Sequence, residues 1–137
     1  KDLIKTSGGK YIAPSHIEGL FKGICPYVSQ VMVIGLARNF CSMVLTLDPD
    51  AITAWAAGTA LAGKSYEEIA SSIEANEMIY GYVKELNSRL NRWETIKRFA
   101  ILDRDLTVDE GELTPSLKLR RKIVVERYGS EIDLLYR

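Results

Sequence analysis

The chain opens with Lys1-Asp2-Leu3-Ile4-Lys5-Thr6-Ser7-Gly8-Gly9-Lys10-Tyr11-Ile12-Ala13-Pro14-Ser15-His16-Ile17-Glu18, and this stretch decides the fold. Two short runs, residues 3–6 and 10–13, flank two glycines, and glycine reaches the positive φ angles that tight turns need. Pro14 ends the second run. Ser15, with Glu18 three residues later, is typical of a capping box at the start of a helix. The stretch therefore predicts a β-hairpin followed directly by a helix.

Three further runs predict a central sheet. Residues 28–36 and 42–47 are rich in apolar and β-branched residues, and residues 98–102 form a third such run. The link at 37–40 is short, so the first two strands are expected to be hairpin neighbours. Because both runs are apolar on both faces, helices should cover the sheet on both sides.

Helices are expected between and after these strands. Asp48-Pro49 predicts the start of a helix over 51–62, and Gly63 ends it. A second capping box at Ser65 and Glu68 opens the longest predicted helix, about residues 66–90. A final helix is expected over about 119–128, ended by Gly129. The long helix carries an imperfect apolar stripe of Ile69, Ile73, Tyr80, Val83 and Leu90.

Taken together, these patterns predict one α+β domain. It would hold an N-terminal β-hairpin and then a mainly antiparallel sheet of about three strands, covered by helices. One long helix over about 66–90 would pack on the sheet, with pairing to a partner helix as the alternative.

Composition narrows the classes of partner. Among 137 residues, 18 are Lys or Arg and 18 are Asp or Glu, and this balance argues against nucleic acid or an anionic membrane as the main partner. Cys25 and Cys41 form no metal-binding pair, and we expect two reduced, buried thiols in a cytoplasmic protein. No signal peptide or membrane-spanning run is visible. Since the chain begins without Met inside a strand-like pattern, we expect it to continue upstream.

No catalytic motif follows from spacing alone, because neither a nucleophile motif nor a glycine-rich phosphate loop is present. His16 is alone and is expected to be solvated. Lys5, beside the glycine turn, and Lys118, after Thr-Pro-Ser, could each present an ammonium group to phosphate or carboxylate oxygens. On residue type alone, a solvated surface lysine is the simpler interpretation of both. The basic run 118–122 likewise fits a solvated helix face better than a nucleic-acid patch.

Two motifs, at opposite ends of the chain, favour a functional role for these lysines over a solvated surface position. Residues 1–14 resemble the hinge and following hairpin of the adenylate-forming enzymes, which include the acyl-CoA synthetases and luciferases. Residues 112–121, Glu-Leu-Thr-Pro-Ser-Leu-Lys-Leu-Arg-Arg, resemble the C-terminal catalytic-lysine motif of that family. The strands between them are similar as well, so the resemblance covers essentially the whole chain. The residues of both motifs are most similar to those of long-chain fatty-acid–CoA ligases of actinobacterial type.

The resemblance implies roles for particular residues. Lys1 matches the hinge, and Lys118 matches the lysine of the adenylation step, with Arg121 supporting it. Lys5, Gly8 and Gly9 match the hairpin that lines the path of coenzyme A during thioester formation. No metal ligand is implied in this part of the enzyme. One departure is Leu117, since most of the wider family has glycine immediately before the catalytic lysine.

The resemblance also implies a reaction. A long-chain fatty acid would react with ATP, with Mg²⁺ on the phosphates, to give an acyl-adenylate and pyrophosphate. The thiol of coenzyme A would then displace AMP. ATP and Mg²⁺ would be held mainly by an N-terminal adenylation domain absent from this sequence, against which this small mobile domain rotates. The full enzyme would be cytoplasmic, with peripheral membrane contact left open.

Three alternatives stay open from the sequence. A fatty-acyl-AMP ligase would pass the acyl group to a carrier protein instead of coenzyme A. A non-catalytic interaction module would use the 66–90 stripe to bind a partner. A nucleic-acid-binding domain would use residues 118–122.

Overall fold

The computed structural model describes residues 2–137, which form a small hairpin, a three-stranded sheet and six helices. A short 3-10 helix, Arg92–Glu94, precedes the last strand. The elements run in the order β1 Ile4–Lys5, β2 Tyr11–Ile12, α1 Pro14–Ile24, β3 Val28–Ile34, β4 Cys41–Leu47, α2 Pro49–Ala57, α3 Tyr66–Ala70, α4 Ile73–Asn87, β5 Ile96–Ile101, α5 Arg121–Arg127 and α6 Gly129–Leu134.

The α+β fold with its N-terminal hairpin is confirmed, and the structure corrects the direction of one strand. β3 and β4 pair antiparallel, with Val33 opposite Met43, as the short link between them requires. β5 pairs with the other side of β4 in parallel, with Met43 opposite Phe99, so the sheet is mixed. The chain between β4 and β5 holds three helices, and a helical crossover is what parallel neighbours need.

Both faces of the sheet are covered, as the apolar strands predicted. Alternate residues of the strands point to opposite faces, so Val31 and Leu45 enter one core cluster whereas Met32 and Val44 enter the other. Helices α1 to α4 contribute to the first cluster. The second cluster is completed by α5, α6 and the loop after β5. The two ends of the chain are thereby packed against the same central sheet.

The single long helix predicted over 66–90 is wrong: the chain forms two helices, α3 and α4, that meet at Ser71 and Ser72. The Ser72 hydroxyl accepts a hydrogen bond from the amide of Ala75 at 3.1 Å, so it caps a new helix and interrupts the old one. The predicted stripe is also broken, because Ile73 and Tyr80 are 74% and 52% exposed. The residues that α4 buries are Ala75, Ile79, Val83 and Leu86.

Two other helix ends differ from the expected ones. α2 ends at Ala57, where the Thr59 hydroxyl donates to the carbonyl of Ala56 and starts a series of turns. Gly129, expected to end the last helix, begins α6 instead. Ile132 of α6 is buried in the second cluster, so packing favours a further helix there. None of the helices within residues 2–137 combines the length and apolarity needed to cross a bilayer.

Candidate functional site

Lys118 ends a tight turn that begins at Thr114. The amide of Leu117 donates to the Thr114 carbonyl at 2.7 Å, and the amide of Thr114 donates to the Lys118 carbonyl at 2.8 Å. The Lys118 amide in turn donates to the Thr114 hydroxyl at 3.1 Å. A bridge between Leu113 and Leu119 continues the pairing away from the turn. These bonds fix the backbone of Lys118, while its side chain is exposed.

Leu117 lies in the left-handed region, with φ of 66°. A three-residue hairpin loop of this kind places its last residue there, which is why glycine is favoured at such a position. Leucine in place of the family's glycine at position 117 therefore has an energetic cost. Leu117 adopts the backbone conformation of a glycine, at a cost of roughly 1–2 kcal/mol for a residue with a Cβ.

The loop is anchored below the turn by Glu112, which is fully buried. Both guanidinium nitrogens of Arg104 donate to its carboxylate, Arg127 donates to it at 3.1 Å, and the amide of Thr107 donates at 3.1 Å. Burial alone would raise the pKa of Glu112, but these hydrogen bonds outweigh it and hold the pKa below its ordinary value. A charged, fully bonded carboxylate thus ties the start of the loop to α5.

Arg121 anchors the other end of the loop, three residues after Lys118. Its guanidinium donates to both carboxylate oxygens of Glu18, at 2.7 and 2.6 Å. Glu18 also accepts from the amide of Val33 at 2.8 Å, which covers the free edge of β3. The hydrogen bonds that Arg121 donates to Glu18 raise the pKa of Arg121, so the guanidinium remains charged. A two-pronged pair of this type holds α1, β3 and α5 in one arrangement.

The predicted capping box at Ser15 and Glu18 is wrong, because the Glu18 carboxylate binds Arg121 instead of capping α1. The N-cap of α1 is Ala13, two residues before Ser15, Pro14 lies in its first turn, and no side chain caps it. Glu18 is instead committed to Arg121, 103 residues along the chain. Two carboxylates, Glu18 and Glu112, therefore position the loop, whereas the sequence predicted only a local capping role for Glu18. The only signal for Glu112 was its place at the start of the lysine motif.

Lys118 lies on the rim of an open groove of about 400 Å³. Leu117, Arg121 and Lys22 of α1 also line this groove. The predicted pair Lys118 and Arg121 is therefore brought together at one groove, with Lys118 exposed and Arg121 bonded to Glu18. The hairpin residues Lys5, Gly8 and Gly9 are not part of this lining.

The hairpin has a turn built in the same way as the Lys118 turn. The amide of Gly9 donates to the Thr6 carbonyl at 3.0 Å, and the amide of Thr6 donates to the Lys10 carbonyl at 2.9 Å. The Lys10 amide donates to the Thr6 hydroxyl at 3.2 Å. Gly9 has φ of 85°, in the same left-handed region as Leu117 in the other turn. Two segments of the form Thr-x-x-x-Lys, residues 6–10 and 114–118, thus share one geometry.

Lys5, Gly8 and Gly9 are all exposed in this hairpin. A Cβ added to Gly8 would meet only the Thr6 hydroxyl, at 4.0 Å, and one added to Gly9 would meet nothing within 4 Å. The two glycines therefore leave a bare stretch of backbone. The sequence reasoning missed Lys10, which holds the same position in its turn as Lys118 and lies over the Trp93 ring at 4.7 Å. The repeated Thr-x-x-x-Lys spacing could have drawn attention to it.

The predicted hinge, Lys1, lies outside the described residues. Across residues 2–137, no three His, Cys, Asp or Glu side chains form a group that could hold a metal ion. His16 is exposed in the first turn of α1. The basic run 118–122 is not a uniform free patch, because Arg121 is taken up by Glu18.

Comparison with known proteins defines the class of this fold and loop. Residues 1–137 match the family described as the AMP-binding enzyme C-terminal domain, and the chain belongs to this family. The resemblance seen in the sequence is confirmed.

Particular relatives are long-chain ligases. The chain is 36% identical over 137 residues to the long-chain-fatty-acid–CoA ligase FadD15 of Mycobacterium tuberculosis, covering 99% of this chain and 23% of that protein. It is 35% identical over 153 residues to the long-chain-fatty-acid–CoA ligase ACSBG1 of Homo sapiens, covering 99% of this chain and 21% of that protein. The chain thus spans less than a quarter of the length of these curated relatives.

Solved structures share the fold. The adenylation and carrier didomain of a carboxylic acid reductase from Segniliparus rugosus superposes with a TM-score of 0.75 at 23% identity, covering 99% of this chain and 17% of that one. The fatty acyl CoA synthetase of Mycobacterium tuberculosis gives a TM-score of 0.56 at 19% identity, covering 95% and 20% of the two chains.

Proposed function

We propose that this chain is the mobile C-terminal domain of a long-chain fatty-acid–CoA ligase. Its whole-chain similarity to ligases of that name supports the class. The observation that carries the assignment is the Lys118 loop, which holds one exposed ammonium group on a backbone fixed from both ends. A fixed backbone with a free cation at its tip is suited to entering the cleft of another domain.

In the adenylation step, the fatty-acid carboxylate attacks the α-phosphorus of ATP and the bond to pyrophosphate breaks. Negative charge develops between carboxylate and phosphate as the two approach. Lys118 would stabilise that charge electrostatically and need not take or give a proton. Mg²⁺ would accompany the phosphates, and we expect its ligands in the preceding part of the enzyme.

In the thioester step, the thiol of coenzyme A attacks the acyl carbonyl and the bond to AMP breaks. The hairpin with Lys5, Gly8 and Gly9 would then replace the Lys118 loop at the cleft. The exposed glycines would leave room for the narrow pantetheine arm, because no Cβ projects from them. Rotation about a hinge at Lys1 would exchange the two surfaces, since a rigid domain can present only one of them at a time.

Coenzyme A is the acceptor we propose, because the relatives named above are CoA ligases. Transfer to a carrier protein is thereby not favoured. The interaction-module alternative loses its main support, since the stripe along 66–90 is divided between two helices and two of its residues point outward.

The test is Lys118→Ala in the full-length ligase, assayed in two half-reactions. ATP–pyrophosphate exchange should fall by about 10²–10³, the usual loss for one preorganised charged group. Conversion of preformed acyl-adenylate to acyl-CoA should continue. Lys122→Ala, an exposed lysine on α5, is the matched control and should leave both steps unchanged. Equal survival of both half-reactions in Lys118→Ala would contradict the proposal.

A further inference from the structure

The hairpin is too small to hold its own position. β1 and β2 contribute two residues each to their pairing, Ile4 opposite Ile12 and Lys5 opposite Tyr11. A two-stranded hairpin of this size is marginal in water without support from the rest of the protein. Whatever fixes the hairpin against the sheet therefore also fixes the placement of its glycine turn.

The support comes from the link between β3 and β4. The amide of Ala37 donates to the Lys5 carbonyl at 2.9 Å, and the amide of Ser7 donates to the Arg38 carbonyl at 2.9 Å. These two bonds attach the link to β1 on the side away from β2. A Cβ at Gly35 would lie 3.3 Å from the Ile4 side chain, so this glycine allows the hairpin to approach closely.

The link itself is held in an unfavourable conformation. Ala37 has φ of 58°, a region that a residue with a Cβ seldom adopts. Such a conformation persists only where the surroundings fix it. The two bonds to the hairpin are part of those surroundings, and the end of the chain contacts the neighbouring residues Arg38 and Phe40.

Tyr136 contacts the link through both its ring and its hydroxyl. Its ring stacks on Phe40, with centroids 4.6 Å apart, and the Arg38 guanidinium lies 4.4 Å from the ring centroid. Its hydroxyl donates to the Phe40 carbonyl at 2.9 Å and accepts from the Ser42 hydroxyl at 2.9 Å. Asp133 adds an ion pair, accepting from Arg38 at 3.0 Å.

We propose that Tyr136 and Asp133 are positioning residues for the thioester step, because they hold the link between β3 and β4, residues 35–40, which attaches the glycine hairpin to the sheet. This inference rests on the role proposed above for the hairpin. The Lys118 loop is held by a different set, Glu112 with its arginines and Arg121 with Glu18. Each of the two working surfaces thus has its own support, and loosening one should leave the other in place.

The test is Tyr136→Ala in the full-length ligase. Transfer of the acyl group from preformed acyl-adenylate to coenzyme A should slow by roughly 10- to 100-fold, the scale expected when a reacting surface is displaced by about an ångström. ATP–pyrophosphate exchange should stay within about twofold of the unmodified enzyme. Tyr136→Phe keeps the ring contacts and loses only the hydroxyl bonds. Its rate of acyl transfer should therefore lie between those of the unmodified enzyme and Tyr136→Ala.

Leu135→Ala is the matched control for general loosening of the C-terminal segment. Leu135 is the buried neighbour of Tyr136 and packs in the second core cluster. The Leu135→Ala substitution should lower thermal stability while leaving the ratio of the two half-reaction rates unchanged. The inference is overturned if Tyr136→Ala slows both steps equally, or if Leu135→Ala changes the ratio as much as Tyr136→Ala does.

The Lys118→Ala variant distinguishes a failure of the proposed ligase function from a failure of the positioning role of Tyr136. If Lys118→Ala spares pyrophosphate exchange, the proposed function fails whatever Tyr136 does. If Lys118→Ala blocks exchange while Tyr136→Ala leaves acyl transfer intact, only the positioning role fails.

Discussion

At the scale of single residues, the two Thr-x-x-x-Lys turns differ in what occupies the left-handed position. Gly9 adopts its φ of 85° freely, whereas Leu117 adopts 66° with a Cβ and an exposed side chain. The Lys118 turn is therefore the more strained of two similar structures. Its hydrogen bonds to Thr114, and the pairs at its two ends, must hold it there.

Leu117→Gly should stabilise the protein. Removing the left-handed penalty of about 1–2 kcal/mol outweighs the extra chain freedom of glycine, about 0.5–1 kcal/mol, and leaves a net gain of roughly 0.5–1 kcal/mol. Urea unfolding would measure the change. Leu117→Ala, which keeps a Cβ, is the control, and an equal gain from it would show that strain is not the cause.

Glu112 should make stability depend on pH. Its pKa in the folded protein lies below the value of about 4.3 for a free glutamate, so the unfolded chain binds protons first as pH falls. The stabilisation is present above about pH 4.3 and is lost as the pH drops through the folded value. Glu68, whose pKa its hydrogen bonds to Ser65 also lower, adds in the same direction.

Glu112→Gln should therefore flatten the acid limb of a stability profile measured by urea unfolding between pH 3 and pH 7. At pH 7 the substitution should cost about 1–3 kcal/mol, the value of hydrogen bonds to a buried charge. Glu126→Gln, at an exposed position of α5, should leave the profile as it is. A profile for Glu112→Gln parallel to that of the unmodified chain would contradict this origin of the pH dependence.

At the scale of elements, the junction between α3 and α4 shows how two serines divide a helical pattern. Ser72 caps α4 with its hydroxyl and also donates to the Ile69 carbonyl at 2.7 Å. Ser71 only donates back to carbonyls of the preceding turn. The two neighbours thus do different work despite having the same side chain.

Ser72→Ala should lower the free energy of unfolding by about 1 kcal/mol, because an amide of the first turn of α4 loses its partner. Ser71→Ala is the natural control, since hydroxyl-to-carbonyl bonds at a helix end contribute little. Thermal unfolding of the two variants gives the comparison. Equal losses would mean that the cap does not set the start of α4.

Local sequence predicted the elements whose signals are local. β3 and β4 followed from their apolar runs, and the hairpin from Gly8 and Gly9. The direction of β5 depended on the whole crossover between it and β4, and the interruption at Ser72 needed the packing of α4 to select one capping serine over a continuous helix. Gly129 failed as a stop signal because burial of Ile132 favours a further helix.

At the scale of the whole molecule, the C-terminal segment is tied to the first third of the chain. Arg121 reaches Glu18 on α1, and Tyr136 reaches the link between β3 and β4. The lysine of the candidate site could be predicted from its motif, whereas its supports could not. Glu18 and Tyr136 act through partners about a hundred residues away, and no local pattern encodes such distances.

The two thiols should report on opening of the whole domain. Cys25 and Cys41 are buried in the first core cluster. Burial, reinforced by the charge of Glu94, raises the pKa of Cys41 to about 11, and burial also raises that of Cys25. Both should resist alkylation near pH 7.5 in the folded protein and react once urea unfolds it, as mass spectrometry would show. Rapid labelling without denaturant would indicate that the core opens locally.

Under the domain rotation proposed above, the fixed backbone of Lys118 sets how accurately this domain must be placed. Since the turn is closed by three hydrogen bonds, two of them to the backbone of Lys118, only the side chain can correct an error in where the domain is placed. A lysine side chain extends roughly 6 Å from its Cα. In the proposed adenylation step, rotation must therefore bring the loop to within that distance of the reacting phosphate. Under the same proposal, changes that lengthen or soften the connection to the rest of the ligase should lower the fraction of rotations that place Lys118 productively, without altering the lysine itself.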